Sequence, residues 1–186
     1  MNWEAKTMAN KAFAANDYNF APDDRLLLDT NIWLFIYGPQ KPGNTKESIY
    51  SGVLAKILTA GSKIFIDVLI VSEFINTYAR LQWNVMGKPH GNFKSFRKSL
   101  DFKPIAQDIA AAVRQVLKHC LRIESGFDGL VINDLLNEYA FGEADFNDQI
   151  IAALCREKGL ILVTDDGDFR GNEIPLVTAN KRLLAS

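Results

Sequence analysis

The stretch RLLLD, from Arg25 to Asp29, is a short apolar run that ends in an aspartate. Its leucines do not alternate with polar residues, and the run is too short for a helix. It therefore predicts a strand buried on both faces of a parallel sheet. A second run of this kind is LILVT, from Leu160 to Thr164. The first run predicts a central strand, because only a sheet covered on both faces buries such a run, and the second predicts a further strand.

The segments around these runs alternate between strand and helix patterns. Further strands are predicted over 63–66, 121–123 and 174–177, and helices over 48–58, 71–85, 105–120, 127–139 and 145–158. The alanine-rich residues 3–16 predict one more short helix, and residues 87–104 predict a loop or broken helix. Strands that alternate with helices indicate the α/β class, here a three-layer α/β/α sandwich with a mostly parallel sheet. We expect one such domain over 25–186, after an N-terminal extension over 1–24.

Composition excludes several classes of protein. The 186 residues are 48% hydrophobic and 23% charged, which excludes intrinsic disorder. Only two cysteines are present and neither belongs to a C-x-x-C pair, so a disulfide framework or a structural zinc site is not expected. No apolar run approaches the roughly 20 residues that a membrane span needs, and the first residues do not resemble a secretory signal. We therefore expect a cytoplasmic protein without a membrane partner.

Charge is unevenly distributed although the net charge is only −1. Residues 80–103 hold six basic residues and one acidic residue, whereas residues 123–175 hold twelve acidic and three basic residues. A basic segment and an acidic segment in a nearly neutral chain indicate two separate roles.

The basic segment alternates cations with aromatic residues. Lys94, Arg97 and Lys98 lie beside Phe93 and Phe96. Cations bind phosphates and aromatic rings stack on unpaired bases, so one interpretation is an RNA-binding surface formed by the three cations. The other interpretation is a solvated loop that its two phenylalanines anchor to the core. The sequence leaves both open.

Acidic side chains gather at one predicted edge of the sheet, beyond the carboxyl ends of the strands. Asp29 ends the first strand, and Asp166 lies two residues after the LILVT strand. Glu73 is near the start of the helix that follows the second strand, and Asp145 and Asp148 lie in the first turn of the helix that leads into LILVT. Functional crevices of open α/β sheets lie at this edge. We therefore expect these carboxylates to lie close together.

Clustered carboxylates repel one another unless a cation lies between them. Oxygen ligands without Cys or His suit Mg²⁺ or Mn²⁺, which prepare a water molecule to attack a phosphodiester. The alternative is that each acid merely interacts favourably with a helix N-terminus. Asp145 remains open between metal ligand and first-turn acid, whereas Asp165 and Asp168 are expected to be solvated turn residues.

Four segments together resemble the PIN-domain ribonucleases. The matching segments, in the order of that family, are Leu26–Trp33 (LLLDTNIW), Val71–Phe74 (VSEF), Asp148–Ala153 (DQIIAA) and Leu162–Phe169 (LVTDDGDF). Each segment carries the acid expected of its motif. The chain is longer than most toxins of the VapC type, which are the subgroup it resembles most.

The resemblance implies a metal-dependent endoribonuclease, a hydrolase of RNA phosphodiesters that acts as the toxin of a toxin–antitoxin pair. It implies Mg²⁺ or Mn²⁺ held by Asp29, Glu73, Asp148 and Asp166, and supporting polar roles for Asn31 and Thr164. It further implies the strand order 3-2-1-4-5, a homodimer, an RNA substrate and an antitoxin partner.

Two other functions compete with this hypothesis. One is a phosphotransferase with Asp29 as the phosphate acceptor, which is disfavoured because Asn31 replaces the usual second acid and no lysine follows the LVT strand. The other is a non-catalytic RNA- or protein-binding module that retains the PIN-like fold.

Overall fold

The protein folds around one parallel sheet of six strands in the computed structural model, which describes residues 11–39, 44–142 and 145–185. The strands are β1 (Ala12–Ala14), β2 (Arg25–Leu28), β3 (Lys63–Ile66), β4 (Cys120–Arg122), β5 (Ile161–Val163) and β6 (Leu176–Thr178). Their order across the sheet is β1-β6-β5-β2-β3-β4. The prediction of a mostly parallel α/β sheet is therefore confirmed.

Strand β2 lies at the centre of the sheet, as its sequence predicts. Leu26, Leu27 and Leu28 have no exposed surface. On one side Leu27 pairs with Phe65 of β3, and on the other it pairs with Leu162 of β5. Hydrogen bonds on both edges and side chains on both faces explain why this strand needs no polar residue before its end.

Helices cover both faces of the sheet. They are α1 (Thr30–Tyr37), α2 (Thr45–Ala60), α3 (Val68–Val85), α4 (Phe93–Arg97), α5 (Phe102–Lys118), α6 (Ile132–Ala140), α7 (Phe146–Lys158) and α8 (Lys181–Leu184). The first five connect strands that step in one direction, from β2 through β3 to β4, and α1, α3 and α5 contact one another. Helices α6 and α7 lead back from β4 to β5. Because crossovers are right-handed, this reversal places α7 on the opposite face and gives the three layers expected.

The strand order contains the expected 3-2-1-4-5 arrangement and one strand more. Counted from β2, the five predicted strands have that order, and β1 is added beside β6. The predicted helix over residues 3–16 is wrong at Ala12–Ala14, and its residues 3–10 lie outside the described ranges. Backbone hydrogen bonds from Leu176 N to Lys11 O (2.9 Å) and from Ala15 N to Thr178 O (2.8 Å) tie this segment to β6. Pairing with the sheet therefore overrides the helical propensity of alanine.

Other boundaries follow from local chemistry. Helices α2 and α7 end at Gly61 and Gly159, whose φ angles of 73° and 62° favour glycine. The predicted helix over 127–139 is instead a 3₁₀ turn, Phe127–Gly129, followed by α6. No helix in the described ranges is both long and apolar enough to cross a membrane.

Candidate active site

Asp29 is a buried carboxylate at the junction of β2 and α1. It caps α1, with its Oδ1 accepting a hydrogen bond from Thr30 N (2.6 Å). Its Oδ2 accepts hydrogen bonds from Thr164 Oγ1 (2.7 Å) and Asn31 Nδ2. Burial raises the pKa of Asp29 to about 6, although the hydrogen bonds from Thr164 and Thr30 lower it. Asp29 is thus fixed in position but costly to ionise.

Asn31 and Thr164 join the ends of β2 and β5 around Asp29. Asn31 Nδ2 lies 3.2 Å from Thr164 Oγ1, and Asn31 Oδ1 accepts a hydrogen bond from Asp165 N at 3.2 Å. Thr164 Oγ1 also accepts a hydrogen bond from Asp166 N at 3.0 Å. The Thr164 hydroxyl and the Asn31 side-chain amide therefore fix the positions of both the Asp29 carboxylate and the backbone that carries Asp166.

Glu73 reaches this edge from α3. The helix starts at Asp67, whose Oδ1 accepts a hydrogen bond from Leu69 N (2.7 Å). Glu73 Oε2 accepts a hydrogen bond from Thr30 Oγ1 at 3.2 Å, so the residue after Asp29 orients the second acid. Burial raises the pKa of Glu73, and the charges of Asp145 and Asp166 contribute in the same direction.

Asp145 and Asp148 reach the edge from the start of α7. Asp145 is the exposed N-cap, and its Oδ1 accepts a hydrogen bond from Asn147 N at 2.8 Å. Asp148 lies in the first turn and is half-buried. Burial raises its pKa to about 7, and the negative charges of Asp29, Asp166, Asp145 and Glu73 add to the effect.

Four carboxylates thus form what we call the carboxylate rim. Its members are Asp29, Glu73, Asp148 and Asp166, with Asp145 beside them. Each comes from a different segment, at the carboxyl edge of the sheet, and their negative charges raise the pKa values of Asp29, Glu73 and Asp148. The ion pairs among the described residues are Lys46–Asp165, His90–Asp101 and Lys158–Glu157, so no described cation neutralises the rim.

The chemistry of the rim suits a hard divalent cation. All its donor atoms are oxygens, and their charge is uncompensated within the described residues. In those same ranges, no three His, Cys, Asp or Glu side chains form a ready-made metal site. Ligation would therefore bring the carboxylates closer together than they lie here.

Asp165 has a structural position rather than the solvated turn that the sequence predicted. Its Oδ1 accepts hydrogen bonds from Lys46 Nζ and Tyr50 Oη, both at 2.7 Å, and its carbonyl oxygen accepts one from Asn180 Nδ2 at 2.7 Å. Tyr50 Oη in turn accepts a hydrogen bond from Ala179 N at 3.0 Å. The spacing of four residues between Lys46 and Tyr50 puts them on one face of α2, which is the signal that the sequence offered. By contrast, Asp168 is exposed as predicted.

The predicted RNA-binding cations lie on α4 and its C-terminal end, apart from the carboxylate rim. Lys94, Arg97 and Lys98 are exposed. Phe96 is fully buried and Phe93 is half-buried, so both rings anchor the segment as the loop interpretation expected. The segment is nevertheless ordered as a short helix that packs against α3.

Comparisons with known proteins agree with this architecture. Residues 26–175 match the family model of the PIN domain. Among solved structures, the chain is similar to the crystal structure of VapBC2 from Rickettsia felis bound to a DNA fragment from their promoter, with 16% sequence identity and a TM-score of 0.50. That similarity covers 83% of this chain and 98% of the other, and at this identity it concerns the fold alone. The comparison with curated proteins found no match.

The family match spans most of the chain and includes all the segments that form the carboxylate rim. The match begins within β2 and ends just before β6, so it includes strands β2, β3, β4 and β5. The chain therefore belongs to the PIN domain family, whose members are generally nucleases.

Proposed function

We propose that the protein is a divalent-metal-dependent endoribonuclease whose active site is the carboxylate rim. The observation that carries this proposal is the convergence of Asp29, Glu73 and Asp148 on one edge. Burial and, to a lesser extent, neighbouring acids raise their pKa values, and no cation among the described residues neutralises them. A fold gains nothing from such repulsion unless something positive binds there.

The residues that would hold Mg²⁺ or Mn²⁺ are Asp29, Glu73, Asp148 and Asp166, with Asp145 as a further candidate. When bound, the metal supplies positive charge that activates a water molecule and stabilises the charge developing on the phosphate. The chain itself contributes orientation. Asn31 and Thr164 hold Asp29 Oδ2, while Thr30 holds Oδ1 through its backbone and Glu73 through its hydroxyl.

Ordered donors around Asp29 have a catalytic consequence. They fix the carboxylate before any ligand arrives, so little reorganisation is needed at the moment of reaction. Asn31 and Thr164 would act through Asp29 in this way, as positioning residues. Asp148 would act directly, since no described residue donates a hydrogen bond to its carboxylate.

Cleavage of a labelled single-stranded RNA tests the proposal. We expect cleavage with Mn²⁺ or Mg²⁺, loss of cleavage with EDTA, and loss in Asp29→Asn and Asp148→Asn. The exposed Asp168→Asn variant is the matched control and should keep its activity, because it changes a neighbouring acid outside the rim. Cleavage that persists in EDTA would contradict metal dependence. RNA binding without cleavage would favour the non-catalytic module instead.

The cellular role that we propose is that of a toxin restrained by an antitoxin. The similar structure is a VapBC2 complex on promoter DNA, which supports a partner of this kind for the present chain. Expression in a bacterial host should arrest growth in the wild type but not in Asp148→Asn, and the product of a small gene directly upstream should relieve the arrest. We further propose a cytoplasmic homodimer, which light scattering on the purified protein would test. Growth unaffected by the wild-type chain would contradict the toxin role.

A further inference from the structure

An open depression lies between α3 and α4, outside the carboxylate rim. Its lining residues are Asn76, Arg80, Phe93, Lys94, Arg97 and Lys98. Four of these are cations, which we call the basic cluster: Arg80, Lys94, Arg97 and Lys98. Arg80 comes from α3 and the other three come from α4 and its C-terminal end, so the cluster exists only because the two helices pack together.

The fold holds the basic cluster in place. Asn92 caps α4 by accepting a hydrogen bond from Ser95 N at 2.9 Å. Phe96 has no exposed surface and packs against the rings of His90, Phe93 and Phe102. A five-residue helix has little stability of its own, so these aromatic contacts hold α4 in place. The Phe93 ring, whose centre lies 5.6 Å from that of Trp83, joins α4 to α3.

Two guanidinium groups of the cluster are oriented by aromatic rings. Arg80 Cζ lies 4.6 Å from the centre of the Phe93 ring, and Arg97 Cζ lies 5.9 Å from it. Arg97 Cζ is also 5.8 Å from the centre of the Phe102 ring. Such contacts leave the edges of a guanidinium free to donate hydrogen bonds to a phosphate.

The positive charge of the cluster is uncompensated. Within the described ranges, none of its four cations forms an ion pair with a carboxylate. All four are exposed. Like charges held together on an open surface favour an anionic ligand, and a phosphate accepts hydrogen bonds from several arginines and lysines at once.

The cluster and the carboxylate rim are linked by one face of α3. Glu73, Asn76 and Arg80 are spaced by three and four residues, so they share one face of the helix. Seven residues of helix separate Glu73 from Arg80 by about 10 Å. A stacked nucleic-acid strand covers that distance in about three nucleotides at roughly 3.4 Å each.

We propose that the basic cluster binds the phosphates of single-stranded RNA about three nucleotides from the bond that the carboxylate rim cuts. This inference rests on the proposed function and adds Arg80 and Asn76, which the sequence did not single out. The rim is acidic and repels the substrate, so the attraction that holds the strand must come from beside it. The basic cluster provides that attraction, since its four cations are exposed and form no ion pair within the described ranges.

The decisive experiment measures RNA binding as a function of salt concentration on an Asp148→Asn background. The probe is a short fluorescein-labelled single-stranded RNA, followed by fluorescence anisotropy. Arg80→Gln combined with Arg97→Gln should weaken binding and lower the slope of log K against log salt by about 1.4, since each lost single-strand phosphate contact contributes about 0.7. Arg80→Lys combined with Arg97→Lys keeps the charge and should retain most of the slope.

The matched control is Lys118→Gln combined with Lys158→Gln. It removes two charges from the ends of α5 and α7, at the opposite edge of the sheet, and should leave the slope unchanged. In the cleavage-competent protein, the Arg80/Arg97 pair of glutamines should raise KM with little change in kcat, because it alters binding away from the reacting phosphate.

Each outcome decides one question. An unchanged slope in the glutamine pair, or an equal fall in the control, would overturn the proposed phosphate site. A wild-type protein that cleaves no RNA with any metal would overturn the proposed function, yet the slope measured by binding would still decide the role of the basic cluster. A lower slope together with a lower kcat and an unchanged KM would also overturn the proposed phosphate site, since it would place the arginines at the chemical step.

Discussion

Asp29 and Asp148 belong to the same carboxylate rim, but the protein holds them in different ways. Asp29 is fixed by donors from Thr30, Asn31 and Thr164, which join two strands of the sheet. Asp148 accepts no hydrogen bond from any described residue and depends on the first turn of α7 for its position. The anchored half of the rim, Asp29 with its donors, is therefore held by the sheet. The α7 half, Asp148, has no such donors among the described residues.

The largest expected effect is metal-linked stabilisation through the α7 half. A cation that binds only the folded state stabilises it by RT ln(1 + [L]/Kd), which is about 2.7 kcal/mol at a hundredfold excess over Kd. Asp148→Asn should lose much of this gain, because it removes a carboxylate to which no described residue donates a hydrogen bond. Thermal unfolding with and without Mg²⁺ or Mn²⁺ measures the shift, with Asp168→Asn as control. Equal shifts in the wild type and Asp148→Asn would place Asp148 outside the metal site.

The second prediction breaks the anchored half. Thr164→Val keeps the shape of the side chain but removes the hydroxyl that bonds Asp29 Oδ2 and Asp166 N. We expect a loss of about 2 kcal/mol in the free energy of unfolding, because buried polar groups lose their partner. Urea denaturation measures the loss. The exposed Thr59→Val variant should change stability far less, and an equal effect in the two variants would mean that the hydroxyl is not a structural link.

The third prediction concerns pH in the absence of metal. The folded pKa values of Asp29 and Asp148, about 6 and about 7, lie above the ordinary value of 3.8. The folded state therefore binds more protons, and the stability that this supplies is fully present below about pH 3.8 and is lost as the pH rises through these folded values. The free energy of unfolding, measured in EDTA, should therefore decrease from acidic to neutral pH. The decrease should be modest, because solvent screens the half-buried Asp148.

Substitution separates the contributions of the two halves to this pH dependence. Asp148→Asn removes one titrating group and no hydrogen bond that the described residues make with its carboxylate. The stability of this variant should therefore depend less on pH than that of the wild type. A profile identical to that of the wild type would show that Asp148 titrates normally in the folded protein.

The smallest expected effect concerns Tyr50, whose hydroxyl binds Asp165 beside the anchored half of the rim. Tyr50→Phe removes the hydroxyl that donates to Asp165 and accepts from Ala179 N, while Lys46 still pairs with Asp165. We expect a loss of about 1 kcal/mol, which is typical of one hydrogen-bonding group. A lower melting temperature for Tyr50→Phe than for the exposed Tyr139→Phe would support this role. Identical melting temperatures would assign the support to Lys46 alone.

Sequence patterns predicted the centre of the fold because that part depends on local signals. Buried apolar runs mark β2 and β5, and glycines mark the ends of α2 and α7. Strand β1 was missed because three residues, Ala12–Ala14, carry no periodicity, and their pairing with β6 is a contact between distant parts of the chain. The order of the inner strands came from the family resemblance rather than from any such pattern.

The candidate site likewise contains features that the sequence predicted and features that depend on contacts between distant residues. The acids of the rim were predictable because each follows a strand or lies within the first two turns of a helix at one edge of the sheet. The role of Asp165 was not, since its partner Lys46 lies 119 residues away. The complete burial of Phe96 was not predictable either, since it depends on packing against rings from other segments.

The addition of β1 beside β6 changes what the sheet presents at its border. Without residues 11–15, β6 would expose a row of backbone donors and acceptors, which is a template for pairing with another chain. The border strand that covers it has only three residues, too few to extend the sheet effectively into a neighbouring molecule. The segment that the sequence analysis placed before the domain therefore covers the edge of β6 and protects it from pairing with another chain.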